Sequence, residues 1–189
     1  MLSNIKSEVQ KGFTLIELLI VIAILAILTT IVVIVLNPAE LLAQGRDSQR
    51  FSDMASLRTA TSFWLKDRGC TTIPWAVGTA YSSNPTNRDV DGTGWFPVNF
   101  TQITGGSPLS VLPEDPRNGE VVRNEADTAD IILQYQFGGD SVANTCGYEF
   151  HATSLESAQF RTEEDKNGQD GGDDVDAYEV GTDPGLDLL

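Results

Sequence analysis

The chain has 189 residues, with 12 Lys and Arg against 27 Asp and Glu, for a formal net charge of −15. That acidity repels phosphate backbones and argues against a nucleic-acid interface built on a general basic surface. Solubility of an exposed acidic surface is the simpler account of the charge, and the length left after one long apolar segment suffices for a single small domain with a modest core.

In chain order, residues 1–12 form a short leader carrying Lys6 and Lys11 against Glu8, with no apolar stretch of its own. A secretory signal peptide would place its cleavage site after an apolar run; here a plausible site precedes it, so the apolar segment would stay in the mature chain. The two lysines predict a cytoplasmic amino terminus, with the remainder outside the cytoplasm. Residues 13–38 are then the predicted transmembrane helix. From Leu18 to Leu36 none of nineteen residues is charged and fifteen are Val, Ile or Leu, enough for a helix of roughly 30 Å, the thickness of a bilayer's hydrocarbon core. Glu17 sits at the mouth of this run. A carboxylate at the centre of a span costs about 2.5–3.5 kcal/mol, whereas fifteen Val, Ile and Leu return on the order of 5–9 kcal/mol, so insertion is favoured. An acid in that position either snorkels to the headgroups or has a partner.

The segment Gly12-Phe13-Thr14-Leu15-Ile16-Glu17-Leu18-Leu19-Ile20 resembles the prepilin signature of type IV pilins and type II secretion pseudopilins. The resemblance implies cleavage between Gly12 and Phe13 by a membrane peptidase that also N-methylates Phe13, and a role in assembly for Glu17, the fifth residue of the mature chain. The physics agrees with that role. The α-amino group exposed at Phe13 is largely protonated near neutral pH, and a carboxylate one helical turn away, on the same chain or a neighbour, neutralises it where screening is weak.

Beyond Asn37-Pro38, where the helix should kink, residues 39–69 read as an amphipathic helix. Phe51, Met54, Leu57, Thr61, Trp64 and Leu65 recur every three or four residues, making a stripe that docks onto a sheet. Arg46, Asp47, Gln49, Arg50 and Asp53 are expected to face neighbouring subunits or water. Gly69, after Lys66 and Arg68, supplies the stop.

Residues 70–189 make up the loop and sheet region. From Cys70 to about Gly106, Pro74, Gly78, Asn84-Pro85, Asp91-Gly92 and Gly94 punctuate a long loop, which Trp75, Trp95, Phe96 and Phe100 should pack onto the body. Asn99-Phe100-Thr101 matches a glycosylation sequon, for which chance is the simpler account. Leu112 to Asn118, LPEDPRN, resembles the LPxDPxN segment ahead of the sheet in major pseudopilins and many short pilins. Strands are predicted at Ile131 to Phe137, Cys146 to Ala152 and Ala177 to Val180, with Gly138-Gly139-Asp140 as a turn. The expected fold is α+β and type IV pilin-like: a long amino-terminal helix packed on a small antiparallel sheet.

Cys70 and Cys146 are 76 residues apart. Export gives them reason to pair, and closing that loop is worth about 4.5 kcal/mol by chain entropy; the alternative is two free buried thiols in a reducing compartment. Between Glu163 and Asp183, nine carboxylates face one Lys166. Asp165, Asn167, Asp170, Asp173 and Asp176, interleaved with glycines, offer hard oxygen ligands, and a structural calcium ion suits them, although the spacing departs from an EF-hand loop. Major pseudopilins carry a calcium site in this region; a merely solvated acidic loop is the alternative. His151, the single histidine, has no nucleophile signature beside it, and no phosphate-binding loop or zinc-hydrolase motif is present; nothing supports an enzyme.

These features predict a structural subunit, processed after Gly12 and polymerised through its helix into a pilus or pseudopilus. Self, minor pilins, a prepilin peptidase and N-methyltransferase, an assembly platform protein, an ATPase and the membrane are the implied partners. Two alternatives are a non-polymerising membrane-anchored binding or adhesive domain with a calcium loop, and a secreted enzyme, which retention of the apolar helix would exclude.

Overall fold

In a computed structural model the described residues are 12–71, 73–124, 126–140, 146–183 and 186–189; the predicted leader lies outside them except for Gly12. The chain divides into two units, residues 1–41 and 42–189.

In the first unit, helix α1 runs Leu15–Leu36. Thr14 caps it: its hydroxyl accepts from the Glu17 N–H at 3.3 Å, and its own N–H and hydroxyl donate to Glu17 Oε2 at 2.8 Å each. This reciprocal pair satisfies donors that have no partner inside the helix. The hydroxyls of Thr29 and Thr30 donate to the carbonyls of Leu25 and Ala26, so neither asks hydrocarbon to solvate a free O–H. No side chain of α1 is buried within the chain. The helix ends where Asn37 takes a left-handed conformation (φ 42°), which asparagine tolerates, and Pro38 opens α2, Pro38–Arg68, in the first-turn position where its missing N–H costs nothing.

In the second unit, α2 buries Met54, Leu57, Ala60 and Trp64, the core of the expected stripe, while Phe51 and Leu65 at its edges are half-buried. They pack on a four-stranded antiparallel sheet of order β1-β4-β5-β6, with β1 at Tyr81–Ser82, β4 at Tyr135–Gly139, β5 at Tyr148–Ala152 and β6 at Tyr178–Gly181. A separate hairpin pairs β2, Val121–Arg123, with β3, Asp130–Ile132. The register sets Tyr135 opposite Ala152, Phe137 opposite Phe150 and Gly139 opposite Tyr148. The Phe137 and Phe150 rings lie 5.0 Å apart, tilted by 48°, and Phe96 meets Phe137 edge-on at 4.4 Å. Trp75, Trp95 and Phe100 of the long loop are also buried, as their apolar surface requires.

Two sequence expectations need correction. Ile131 to Phe137 is not one strand: β3 ends at Ile132 and β4 begins at Tyr135, each with a different partner. Gly138 and Gly139 form no turn but finish β4. A Cβ at Gly139 would overlap the Trp75 indole, and one at Gly138 would press on Leu189. The glycines are there because aromatic and tail side chains lie flat on the backbone.

Candidate functional site

Three groups of side chains bear on function. The first is the start of α1. Phe13 is exposed, and Glu17, in the first turn, directs Oε2 back to Thr14. Gly12, Phe13 and Glu17 thus sit at the free end of a helix of about 33 Å whose apolar surface has no partner in its own chain.

The second group is a charged network at the amino-terminal half of α2, and it overturns the expectation that Asp47 and Arg50 face water or neighbours. Both are fully buried. Arg50 donates Nη1 to Asp47 at 2.7 Å, Nε and Nη2 to Asp115 at 2.6 and 2.8 Å, and lies 2.7 Å from Glu156. Glu156 also receives Arg46, through Nε at 2.9 and 3.1 Å and Nη2 at 2.7 Å, and Arg117 Nη1 at 2.6 Å. Asp47 accepts the N–H groups of Glu156 and Ser157. Three arginines, Arg46, Arg50 and Arg117, therefore meet four carboxylates, Asp47, Asp115, Glu156 and, at the exposed edge through Arg117, Glu120. Burial works against the Glu156 carboxylate, but the guanidinium groups of Arg46, Arg117 and Arg50 outweigh it and hold its pKa down at about 2. Asp53 is half-buried; burial raises its pKa despite the Tyr135 hydroxyl donating to it at 2.8 Å. The Asp115 of LPEDPRN is thus the clasp between that turn and α2, a role beyond the resemblance that its sequence carries.

The third group lies on the sheet face turned away from α2. Glu149 and His151 alternate with Tyr148, Phe150 and Ala152 along β5, and His151 pairs in register with Glu179 of β6. All three are buried. His151 Nε2 lies 2.6 Å from Glu179 Oε1 and 3.2 Å from Glu149 Oε1. Burial pushes the imidazole pKa down, but the two carboxylates prevail and raise it to about 9. Sequence reasoning noticed His151 but not its carboxylates, because the three come together only through strand pairing. Among the described residues this is the group of three His, Cys, Asp or Glu side chains placed to share a metal ion.

The acidic loop is arranged differently. Asp165 Oδ1 accepts from Gly168 N–H, Asp170 accepts from Gly172 and Glu179 N–H, and the buried Asn167 donates to the carbonyls of Val175 and Asp176. Asp173 points into solvent. Among the described residues, no three loop carboxylates converge on a point. Cys70 and Cys146 form a disulfide, Cα atoms 5.6 Å apart, tying the end of α2 to the entry of β5.

A lone apolar helix that leaves its whole surface open, followed by an amphipathic helix laid on a small antiparallel sheet and closed by a disulfide, defines a membrane-anchored subunit of the pilin class. Residues 9–33 match the family described as the prokaryotic N-terminal methylation motif. Over 118 residues the chain is 32% identical to the type IV major fimbrial protein FimA of Dichelobacter nodosus, an alignment covering 62% of this chain and 68% of that protein. No solved structure matches. The chain belongs to the type IV pilin family.

Proposed function

We propose that this pilin subunit is made as a precursor, cut between Gly12 and Phe13, N-methylated on Phe13, and polymerised through α1 into a surface filament. The observation that carries the reading is α1 itself: twenty-two residues, Leu15–Leu36, none buried in its own chain. Such a surface is stable in lipid or against copies of itself, and a filament is reached by exchanging one for the other. The amino terminus then lies on the cytoplasmic side and the sheet domain outside, and in the filament the acidic domain faces water. A peptidase and N-methyltransferase, a platform protein and an ATPase complete the machinery, as the family resemblance implies; an extended pilus is favoured over a secretion pseudopilus by the fimbrial relative.

Glu17 would serve twice. Its Oε2 caps its own helix through Thr14, and its charge can meet the Phe13 amine of a neighbouring subunit, setting axial register. The acidic loop, where Asp165 and Asp170 accept from backbone N–H groups, has no part in this reading. Mass spectrometry of the mature chain tests the proposal: the expected amino-terminal residue is N-methylated Phe13, and a chain still beginning at Met1 in assembled filaments would overturn it.

A further inference from the structure

The far face of the sheet carries a feature that the proposed function does not call on. Glu149 and Glu179 are two carboxylates excluded from solvent, and among the described residues no lysine or arginine forms an ion pair with either. Their neighbourhood is acidic: Asp170 Oδ2 accepts the Glu179 N–H at 2.7 Å. His151 Nε2 is shared between Glu179 Oε1 and Glu149 Oε1, while Glu149 Oε2, equally buried, has no hydrogen-bond partner. Buried polar atoms are nearly always paired, and an unpartnered carboxylate oxygen beside a second buried carboxylate calls for an explanation. By contrast, Glu179 Oε2 is held by the Asp174 N–H at 3.2 Å, so the carboxylate is oriented from behind.

From this geometry we propose that Glu149, His151 and Glu179 form a binding site for one divalent transition-metal ion, with zinc as its natural occupant. Each of the three side chains supplies a donor atom, one nitrogen and two oxygens in all, and these lie within 4.8 Å of one another. Three donors of mixed N and O type, with a fourth position for water or the second Glu149 oxygen, fit a four-coordinate zinc site, whereas calcium and magnesium favour oxygen alone. With bonds of about 2.0–2.2 Å, a tetrahedral site has edges of about 3.4 Å. The separation of His151 Nε2 from Glu149 Oε1, 3.2 Å, already matches; that to Glu179 Oε1, 2.6 Å, widens by somewhat under 1 Å as the ion enters. Two carboxylates, an imidazole that releases its Nε2 proton as the ion enters, and a divalent ion sum to zero charge, which is what a buried site requires.

The site joins β5 to β6 and reaches the acidic loop through Glu179. A Cβ at Gly172 would run into the Glu179 carboxylate, so the loop backbone lies directly over it. An ion bound there would fasten the loop and the last strand to the sheet, a structural role for an extracytoplasmic domain. On the loop side, Glu179 and Asp170 share an open cleft of about 480 Å³ with Arg58 and Lys166. The inference is independent of processing and assembly.

The test uses the full chain without an affinity tag, in detergent, stripped with chelator and then given zinc alone. We expect one zinc retained per chain after dialysis, a shell of one imidazole nitrogen with oxygens by X-ray absorption, and a melting temperature higher by about 5–10 °C at a free zinc concentration of about 100 Kd. His151→Gln and Glu179→Gln should each weaken zinc by about 100-fold or more, since each removes a direct ligand. Less than one zinc per chain, a shell without imidazole, or stabilisation by calcium with none by zinc would overturn the assignment. If the variants fail to fold, the X-ray absorption of the wild-type chain decides.

Discussion

The Arg50 guanidinium grips the Asp115 carboxylate at two points, Nε to Oδ2 at 2.6 Å and Nη2 to Oδ1 at 2.8 Å, with both side chains wholly shielded from water. A helix residue and a proline-framed turn 65 positions later are thereby held in one geometry. Two-point pairing between planar groups fixes orientation as well as distance.

Truncating either partner strands a buried charge, so Arg50→Leu and Asp115→Ala should each lose about 3–5 kcal/mol. At about 2–4 °C per kcal/mol, thermal melts of the full chain in detergent should drop by on the order of 10 °C. Because the pair shares a network, the double variant should fall by clearly less than the two single losses together. Arg50→Lys should also destabilise, because an ammonium group cannot reach Asp115 in the same fork and Asp47 and Glu156 besides.

Acid should expose the Glu156 contribution. Its carboxylate holds a pKa of about 2 in the folded chain against an ordinary 4.5. Its stabilisation is therefore complete above about 4.5 and is lost as pH falls towards 2, where the folded state too takes up the proton. Glu156→Gln should melt below wild type at pH 7, and the gap should narrow steadily between pH 4.5 and 2. A gap that stayed constant over that range would show that the ionised carboxylate is not what matters.

The Cys70–Cys146 bridge closes a separation of 76 residues. Replacing both cysteines with serine should cost about 4.5 kcal/mol. The bridged chain should run faster than the reduced chain in a denaturing gel, and it should titrate no free thiol before reduction.

Glu17 permits a sharper experiment than alanine alone. Glutamine in the third helical position can still close the capping box with Thr14 but carries no charge. If charge pairing with a neighbour's amine governs assembly, Glu17→Gln and Glu17→Ala should both lose filaments, counted by electron microscopy of sheared cells. Normal filaments from the glutamine variant would place the requirement on helix capping instead.

Much of this protein was legible along the chain because the signals are local. The apolar run of α1, the three- and four-residue stripe of α2 and the alternation of β5 are periodicities that one segment carries unaided. What was misread depended on distant neighbours. Asp47 and Arg50 look like surface residues, since charged side chains seldom lie inside, and only Asp115 and Glu156, arriving from far along the chain, make their burial tolerable. Gly138-Gly139 reads as a turn until Trp75 and Leu189 are seen to occupy the space that side chains there would need.

The order of residues alone determined that there is a membrane-length helix with an acid near its start, that a second, two-faced helix follows, and that the rest is short strands and loops. Hydrophobic spacing and capping act over a few residues and need no fold to be read. Tertiary structure decided which charges are buried and which carboxylates His151 meets. Those outcomes are set by strand register and long-range ion pairing, and the desolvation that governs them exists only once the chain has closed on itself.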